Sequence, residues 1–511
     1  MLFAVDDHRS DEIALDDLVR RRTWSELTDR CYRLAHVWND ALGVAPGAHA
    51  ALVLANRVEF VELVLGAICA GITLTPVNWH LTAEEITYIL GDSGASVIVT
   101  DAEHAPVVRA AAAAAAEDGR HVEVLLVGPD LEALVAAASD APPSPAGPAG
   151  GAMYYTSGTT GRPKGVIRGR QPTLAEQLLS APAAGRALGM DGSGAHLVTG
   201  PLYHAAPVGF ALMDLHQGAP LVIMERFDAA ATLALVEQRR VRDTHLVPTM
   251  FVRLLALDDE VRASADVSSL RTVLHGAAPV SVPVKQRMLD WWGDVLVEYW
   301  GGSEGGVVTL VDAADWRERP GTVGRPIPGH EVVVTDEGRN ELPPHTDGIL
   351  WCRNTRVADV FRYHGDEAKT AATFWGPGTY TLGDIGHVDD DGYVYLADRA
   401  SHMIISGGVN IYPAEIEQIL GEHPAVADVA VFGIPDDEWG EQVHAEVQPV
   451  AGTAGDAALA AELQAHVRAH LAGYKVPRSV AFRPDLGRLP SGKVPIRHLR
   501  APYWAGRDRS I

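Results

Sequence analysis

Residues 154–165 read Tyr-Tyr-Thr-Ser-Gly-Thr-Thr-Gly-Arg-Pro-Lys-Gly and carry the strongest chemical signal in the chain. An apolar strand runs into a loop rich in glycine and hydroxyl side chains, with one Arg and one Lys. Glycines let backbone N–H groups approach an anion closely, hydroxyls donate hydrogen bonds, and lysine adds a point charge. The loop therefore predicts a cradle for a polyphosphate. Its candidate residues are Thr156, Ser157, Gly158, Thr159, Thr160, Gly161 and Lys164.

The spacing of this loop differs from that of a Walker A phosphate loop. Gly158, Gly161 and Lys164 follow the pattern G-x-x-G-x-x-K-G, whereas Walker A reads G-x-x-x-x-G-K-[ST]. Gly165, and not Ser or Thr, follows the lysine. A P-loop kinase or ATPase is therefore disfavoured, and a plain flexible turn rich in Gly and Thr is the remaining alternative.

Strand and helix patterns alternate before the loop, which is typical of a parallel α/β sheet. Two capping boxes, Thr23 to Glu26 and Thr82 to Glu85, mark helix starts, the first helix running to about Leu42. The other predicted elements are strands at 50–55, 72–77 and 95–100, a helix from about Val58, and a surface helix across the alanine run 110–116.

The rest of the chain divides by composition. A proline-rich loop at 141–148 ends the first segment, and the α/β rhythm resumes from Gly150 to about Phe361. Residues 320–344 are rich in Gly, Pro and short β runs, which suggests a small β-barrel-like subdomain. Beyond residue 400 the predicted elements are strands at 426–432 and 441–450 and a helix at 457–472, which together indicate a small α+β domain.

Composition limits the classes of partner. The chain has 511 residues, with 42 Lys and Arg against 66 Asp and Glu, and a net charge of −24. Such a balance repels nucleic acids and anionic membranes, so neither is an expected partner. The first residues contain no apolar signal segment, and the most apolar stretch, 63–77, is short for a bilayer span. With three scattered cysteines, Cys31, Cys69 and Cys352, the expected compartment is the cytoplasm.

Lysine is rare in this chain, and arginine supplies most of the positive charge. Each lysine is therefore either a candidate for chemistry that needs a compact ammonium or a remnant of biased composition. The five lysines are Lys164, Lys285, Lys369, Lys475 and Lys493.

Further motifs follow the phosphate loop in a fixed order. They are PLYHAAP at 201–207, HGAAP at 275–279, EYWGGSEG at 298–305, YTLGD at 380–384, the stretch 398–417 containing ISGGVNIYPAEIE, and RLPSGK at 488–493. Together with the loop they resemble the motifs of the ANL adenylating enzymes, which comprise acyl-CoA synthetases, peptide-synthetase adenylation domains and luciferases. The resemblance covers nearly the whole chain, and the ordered set is far more specific than any one motif.

The resemblance implies an α/β fold class with two domains. Residues 1–400 would form a large N-terminal domain of two α/β subdomains and a small β-barrel-like subdomain, which binds ATP and the acyl group. Residues 401–511 would form a small, mobile α+β domain that carries the catalytic lysine and a channel for the thiol.

The resemblance also assigns roles in joining a carboxylate to ATP. The loop would hold the β and γ phosphates, Glu304 would ligate Mg²⁺, and Ser303 would bond the α-phosphate. Lys493 would stabilise the charge that develops between the carboxylate and the α-phosphate. The residues assigned to adenine and ribose are Gly276, Ala277, Ala278, Trp300, Asp384 and Arg399.

The acyl group and the thiol are assigned to two further sets of residues. The acyl pocket would comprise Tyr203, His204, Ala206, Gly209, Gly301 and Gly302, with His204 also a catalytic candidate as a gate beside the carboxylate. The coenzyme A channel would comprise Ser406, Gly407 and Gly408. Ser401 at the hinge, followed by His402, departs from the usual Lys or Asp followed by Asp, which leaves open whether both half-reactions run equally well.

Each role has a plainer structural alternative on local grounds. The alternatives are a core aromatic for Trp300, a solvated loop acid for Glu304, an ordinary turn residue for Asp384, a core histidine for His204, a glycine β-bulge for Gly407 and Gly408, and a surface lysine for Lys493. The order of the motifs along the chain favours the functional interpretation in each case.

The acyl-pocket motif indicates the substrate class. Amino-acid-activating relatives place an Asp there to hold the α-ammonium, and residues 204–210 contain no acid. A buried ammonium without a partner is costly, so amino acids are disfavoured. Small apolar residues predict a roomy pocket for a bulky or long hydrophobic acid, such as a fatty, aryl, terpenoid or steroid acid.

The expected enzyme is therefore an ATP-dependent, AMP-forming acid–thiol ligase. It would make an acyl-adenylate with ATP and Mg²⁺ and pass the acyl group to coenzyme A, releasing AMP. The alternative is a specialised member that runs mainly one half-reaction or loads the phosphopantetheine of a carrier protein. The sequence leaves a homodimer open and predicts no stable membrane insertion.

Overall fold

The structure is a computed structural model that describes most of the chain. The described residues are 2–156, 163–278, 280–399, 404–406, 409–411, 413–436, 440–471, 473–488 and 494–505. Within these residues the strands form three sheets, of 14, 7 and 5 strands. The predicted boundary between residues 400 and 401 lies outside the described residues.

The first elements follow the predicted alternation. The strands are β1 (Ile13–Asp16), β2 (Arg21–Thr23), β3 (His49–Val53), β4 (Thr73–Pro76), β5 (Val97–Thr100), β6 (Glu123–Leu126), β7 (Gly151–Thr156) and β8 (Lys164–Arg168). The helices are α1 (Trp24–His36), α2 (Val58–Ala70), α3 (Ala83–Ser93), α4 (Ala105–Glu117) and α5 (Pro129–Ala137), with a 3-10 turn at Asp7–Arg9 and a π-helical turn at Val37–Ala41.

The second part of the chain repeats the alternation and then becomes mostly β. The strands are β9 (Ala195–Val198), β10 (Leu221–Ile223), β11 (Val241–Leu246), β12 (Thr272–His275), β13 (Leu296–Gly302), β14 (Gly306–Val311), β15 (Thr322–Pro326), β16 (His330–Thr335), β17 (Gly348–Asn354), β18 (Phe361–Tyr363), β19 (Phe374–Gly376), β20 (Thr379–Val388) and β21 (Val394–Arg399). The helices are α6 (Leu174–Ala187), α7 (Ala205–Leu215), α8 (Ala229–Arg239), α9 (Pro248–Leu255), α10 (Asp259–Ser264), α11 (Val282–Trp292), α12 (Ala313–Glu318) and α13 (Glu367–Thr373).

The last elements form a small α+β unit, as the sequence predicted. The strands are β22 (Ile404–Ser406), β23 (Val409–Ile411), β24 (Val426–Asp436), β25 (Gly440–Pro449) and β26 (Ser479–Phe482). The helices are α14 (Pro413–Gly421), α15 (Ala457–His470) and α16 (Ile496–Trp504), with a 3-10 turn at Gly473–Lys475. The long hairpin of β24 and β25 is the centre of the third sheet.

Both predicted capping boxes are confirmed. In α1 and α3 the Thr side chain accepts a hydrogen bond from the backbone N–H three residues on, and the Glu there bonds back to the Thr backbone. The first helix is α-helical to His36 and continues to Ala41 only as the π-helical turn. The two caps therefore fix the residue at which each helix begins.

Two α/β sheets dominate the N-terminal region. In the first, β6, β5, β3, β4 and β7 are parallel neighbours in that order, and β8 and β18 extend the edge as antiparallel strands. In the second, β13, β12, β11, β9, β10 and β1 form the parallel part. These parallel strands are mostly buried, and they combine apolar residues with buried polar ones such as Thr75, His196 and Asp243.

The predicted β-barrel-like subdomain is an extension of the second sheet. The antiparallel strands β14, β15, β21, β20, β17 and β16 follow one another outward from β13. β15 pairs with β14 on one side and with β21 on the other. Since β16, at the outer end of this series, pairs only with β17, the described strands continue one open sheet.

The alanine run is a correction to the expected surface helix. It lies in α4, and Ala111 and Ala115 are completely buried in a cluster with Ile86, Ile89 and Leu90 of α3. Small side chains allow the two helices to approach closely, so one face of the run is core.

No helix among the described residues combines the length and apolar character needed to cross a membrane. The three cysteines, Cys31, Cys69 and Cys352, are buried and form no disulfide.

A buried ion pair connects α11 to β13. Lys285 is completely buried, and its Nζ lies 2.5 Å from Oε2 of Glu298. The Trp316 ring covers the ammonium at 4.7 Å from its centroid. Burial lowers the pKa of Lys285 and raises the pKa of Glu298, while their pairing opposes both shifts. This pair explains one of the rare lysines: Lys285 links α11, the helix that follows the HGAAP segment, to the strand that carries the EYWGGSEG motif.

We predict that Lys285→Met destabilises the protein by about 3 kcal/mol, because it leaves the Glu298 carboxylate buried without its partner. The double variant Lys285→Met/Glu298→Leu should recover most of this loss, since it buries no charge. Urea unfolding measures the stability of both variants. The control is Arg317→Met, which removes the exposed ion pair between Arg317 and Asp294. A double variant as unstable as the single one would contradict the assignment.

Candidate active site

The two ends of the phosphate loop meet in a β-hairpin. β7 and β8 are antiparallel, and Thr156 is paired with Lys164. The predicted loop residues Ser157, Gly158, Thr159, Thr160 and Gly161 lie outside the described residues. The hairpin therefore places the first hydroxyl and the lysine of the motif side by side at one sheet edge.

Tyrosine hydroxyls anchor this hairpin to α3. The Tyr155 hydroxyl donates to Oδ2 of Asp92 at 2.7 Å, and the Tyr88 hydroxyl donates to the carbonyl of Pro163 at 2.9 Å. Burial, together with the Asp92 carboxylate, raises the pKa of Tyr155. Neither contact was foreseen, because the partners are more than sixty residues apart.

Ser303 and Glu304 lie in the turn between β13 and β14. The Tyr363 hydroxyl donates to Oε1 of Glu304 at 3.1 Å, and Nε of Arg168 donates to the carbonyl of Ser303 at 2.9 Å. A Cβ at Gly305 would overlap the Tyr380 hydroxyl, so only glycine fits there. The turn thus presents a half-buried carboxylate, a hard oxygen ligand of the kind Mg²⁺ prefers.

Trp300 and Asp384 are joined directly. Nε1 of Trp300 donates to Oδ2 of Asp384 at 2.8 Å, and the two residues are only 5% and 7% exposed. Trp300 also packs in a cluster with Val308 and Tyr380. The indole therefore supplies a hydrogen-bond donor in addition to a ring face, although the phenol hydroxyl common in the family is absent. Its packing role is observed, and its contact with adenine stays a prediction.

The HGAAP segment leaves the carboxyl end of β12 in an unusual conformation. Ala277 has φ of +67°, which non-glycine residues rarely adopt and which is often found at functional sites. A Cβ at Gly276 would lie 2.6 Å from the Tyr299 carbonyl oxygen and 2.8 Å from its ring, so Gly276 permits this close packing. Gly276, Ala277 and Ala278 therefore form a backbone surface beside β13, where the nucleotide base is predicted.

The ribose-binding candidates are aligned by strand register. In the antiparallel pair of β20 and β21, Asp384 lies opposite Arg399. Strand pairing fixes the Asp384 backbone, and the hydrogen bond from Trp300 orients its carboxylate. The Arg399 side chain and the hinge residue Ser401 lie outside what the structure describes.

The acyl-pocket candidates gather around the start of α7. Tyr203 is buried beside His204, with 4.5 Å between ring centroids, and Ala206 is half-buried. A Cβ at Gly209 would meet nothing within 4 Å, so this glycine faces open space. A Cβ at Gly301 would overlap the Gly306 carbonyl oxygen, which shows that this glycine is needed for strand packing.

The remaining pocket candidate, Gly302, lies close to two predicted functional groups. A Cβ there would be 3.1 Å from Oε2 of Glu304 and 3.2 Å from Leu382. The place of Gly301 and Gly302 in an acyl pocket stays a prediction.

An aromatic cluster that sequence reasoning missed lies behind α7. The rings of Phe210, His245 and Tyr299 lie 5.2 to 5.8 Å apart between centroids. The Tyr299 hydroxyl and Nε2 of His245 form a hydrogen bond of 3.0 Å. Burial lowers the pKa of His245 to about 3, so this imidazole is neutral at pH 7. We name this set the aromatic wall.

The C-terminal candidates are only partly described. Ser406 ends β22 and pairs with Gly440, whereas Gly407, Gly408 and Lys493 lie outside the described residues. Arg488, the first residue of the RLPSGK motif, is held by Asp428. Its guanidinium contacts both carboxylate oxygens of Asp428, at 2.5 and 2.6 Å. The sequence signal for this anchor was the arginine at the start of RLPSGK.

Comparisons with known proteins agree with this arrangement. The AMP-binding enzyme family matches residues 3–361, and the AMP-binding enzyme C-terminal domain matches residues 415–493. A feruloyl-CoA synthase from Amycolatopsis sp is 37% identical over 478 residues, 92% of each chain. The fatty acid–[acyl-carrier-protein] ligase ScoC from Streptomyces coeruleorubidus is 32% identical over 502 residues, 96% of this chain and 93% of that protein. ATP-bound MatB from Rhodopseudomonas palustris superposes with a TM-score of 0.86 at 28% identity, covering 99% of this chain and 98% of that one.

We predict that Trp300→Phe weakens ATP binding about tenfold, because it keeps a ring face but removes the donor that orients the Asp384 carboxylate. Calorimetric titration of the folded variant with MgATP measures the effect. Trp375→Phe, a half-buried tryptophan away from Asp384, is the matched control. Equal affinities for the wild type and Trp300→Phe would mean that Trp300 serves only in packing.

Proposed function

The chain belongs to the AMP-binding enzyme family and is an AMP-forming acyl-CoA synthetase, and on that basis we propose that its acid substrate is a bulky aromatic carboxylic acid. The observation that carries this proposal is the aromatic wall, whose Phe210 and Tyr299 belong to a cluster that packs against Ala206, a predicted acyl-pocket residue. Aromatic rings interact favourably at centroid separations of 4.5 to 7 Å, so a planar acid gains by joining such a set. The 37% identical feruloyl-CoA synthase also acts, by its name, with an aromatic acid.

The charge of the proposed pocket supports a neutral acyl group. His245 is buried and uncharged at pH 7 because burial lowers its pKa to about 3. Residues 204–210 contain no carboxylate that could pair with an ammonium. The open space at Gly209 allows an acyl group to lie along α7. We therefore disfavour amino acids and propose an acid with an aromatic ring remote from its carboxylate.

The proposed first half-reaction uses residues from both α/β sheets. Thr156 and Lys164 would bind the β and γ phosphates, and Ser303 would bond the α-phosphate. Trp300 would contact adenine beside Gly276, Ala277 and Ala278, and Asp384 would accept the ribose hydroxyls. Lys493 would stabilise the negative charge that builds up as the acid attacks the α-phosphorus.

A magnesium ion fits the turn that carries Glu304. Its carboxylate is half-buried and accepts a hydrogen bond at Oε1 from the Tyr363 hydroxyl, and a carboxylate oxygen is the kind of ligand that Mg²⁺ prefers. When bound together with the phosphates, Mg²⁺ would reduce the charge repulsion between ATP and the incoming acid.

In the proposed second half-reaction a thiol displaces AMP from the acyl-adenylate. The C-terminal domain would rotate at Ser401, move Lys493 away and place Ser406, Gly407 and Gly408 along the pantetheine arm. Coenzyme A is the acceptor that we propose. A carrier protein is the second candidate, because ScoC, at 32% identity, is an acyl-carrier-protein ligase. We further propose a cytoplasmic enzyme that binds no nucleic acid.

The pocket makes a specific prediction for Gly209→Leu. The new side chain has room, and leucine favours a helix over glycine, so the variant should fold. By narrowing the pocket it should lower kcat/KM for a hydroxycinnamic acid about tenfold relative to that for acetate. ATP–pyrophosphate exchange with acetate, a long-chain fatty acid, phenylalanine and a hydroxycinnamic acid measures this. If the wild type preferred acetate or phenylalanine, the proposed substrate class would be wrong.

We predict that Lys493→Ala slows adenylation by about 100-fold or more, because the charge developing at the α-phosphate loses its counter-ion. Thioester formation from a supplied acyl-adenylate should be unchanged, since the lysine is expected to be distant in that step. Pyrophosphate exchange and thioester release measure the two steps separately. Equal losses in both assays would contradict rotation of the C-terminal domain.

A further inference from the structure

The segment that follows β18 lies against the exit of the phosphate loop. β18 pairs with β8, so that Tyr363 is opposite Val166, and the backbone N–H of His364 donates to the Gly165 carbonyl at 2.7 Å. Through this pairing, residues 363–370 lie next to Lys164. They form no part of the motifs that the sequence analysis singled out.

Asp366 in this segment contacts the loop lysine directly. Its Oδ2 lies 3.0 Å from Nζ of Lys164, and its Oδ1 accepts a hydrogen bond of 2.9 Å from the backbone N–H of Lys369. The two contacts use different oxygens. Asp366 can therefore release the ammonium and still cap α13.

The same turn reaches the proposed magnesium ligand. Tyr363 donates through its hydroxyl to Glu304, while its backbone N–H donates to Oγ1 of Thr370 at 3.0 Å. The Thr370 hydroxyl donates in turn to the carbonyl of Asp366 at 2.8 Å. One hydrogen-bonded turn thus contacts both the lysine and the carboxylate that are assigned to the triphosphate.

We propose that Asp366 acts through Lys164 as a competitor of the nucleotide: it holds the ammonium in an ion pair beside the phosphate loop, and the triphosphate must displace Asp366 to bind the lysine. The inference rests on the proposed function, because the phosphate contact of Lys164 is assigned there. Asp366 and the nucleotide then compete for one cation. Nucleotide binding breaks the Lys164–Asp366 ion pair and forms a Lys164–phosphate pair.

Exposure and charge make this exchange favourable. The Lys164 and Asp366 side chains are 29% and 25% exposed, so the pair is solvated and weak. A triphosphate carries several negative charges, whereas Asp366 carries one, and it therefore attracts the ammonium more strongly. The Asp366 carboxylate raises the pKa of Lys164, as expected for an ion pair. The fully buried Lys285–Glu298 pair has no such freedom to exchange.

Asp366→Asn tests the proposal with little risk to the fold. The Asn side chain keeps an oxygen for the Lys369 N–H but no longer attracts Lys164. Calorimetric titration with MgATP, in the absence of any acid, should show binding about two- to fivefold tighter than in the wild type. Lys164→Met should bind more weakly, and Lys164→Met/Asp366→Asn should match Lys164→Met, because the competitor has no cation left to hold.

The matched control is Asp391→Asn, which removes one negative charge from the exposed pair with Arg319. It should leave MgATP affinity unchanged. Weaker binding by Asp366→Asn would overturn the proposal, since it would mean that Asp366 pre-positions Lys164 for the nucleotide. The proposal would also be overturned if Asp366→Asn tightened MgATP binding equally in the Lys164→Met background, or if Asp391→Asn tightened it as much. Either result would show a general effect of net charge.

The proposal and the proposed function fail in different ways. A wild-type chain that binds no MgATP would overturn both. If the wild type and Asp366→Asn bound MgATP equally well, only the proposed competition between Asp366 and the nucleotide would be overturned. The expected result is a gain that appears only when Lys164 is present.

Discussion

Two anions have to meet in this molecule, and the rest of its structure serves that constraint. A carboxylate and a triphosphate repel each other, and the chain around them has a net charge of −24. Positive charge and oriented N–H and O–H donors must therefore be concentrated at one place. The β7–β8 hairpin pairs Thr156 with Lys164 at a sheet edge, and we propose that it supplies part of this set of donors.

The acidic residues of the site are held by uncharged donors. Trp300 holds Asp384 through its indole N–H, and Tyr363 holds Glu304 through its hydroxyl. Each carboxylate is thus oriented by a hydrogen bond, and we propose the ribose hydroxyls and a magnesium ion as their ligands. Lys164 is different, because its partner Asp366 is an anion that a phosphate can replace.

Sequence patterns predicted the local structure well. Capping boxes fixed the starts of α1 and α3, since a cap depends only on residues three apart. Strands alternating with helices indicated parallel sheets, because parallel strands need crossover connections. The β strands expected in residues 320–344 are present as β15 and β16, but composition did not show that they extend the second sheet.

The sequence named candidate residues for the site but not the contacts between them. The ordered motifs gave Trp300, Glu304 and Asp384 as candidates, and their roles stay predictions. The hydrogen bonds that position them join residues 59 and 84 positions apart, and only the folded sheets bring those residues together. The aromatic wall escaped prediction for the same reason. Phe210, His245 and Tyr299 come from three separate elements and share no spacing pattern.

The proposed chemistry requires that the acid attack the α-phosphorus of ATP and later leave an oxygen on AMP. A carboxylic acid labelled with ¹⁸O at both oxygens tests this directly when it is turned over with ATP and coenzyme A. Mass spectrometry should find one labelled oxygen in AMP, one in the thioester and none in pyrophosphate. Unlabelled AMP, or labelled inorganic phosphate formed together with ADP, would contradict the claim.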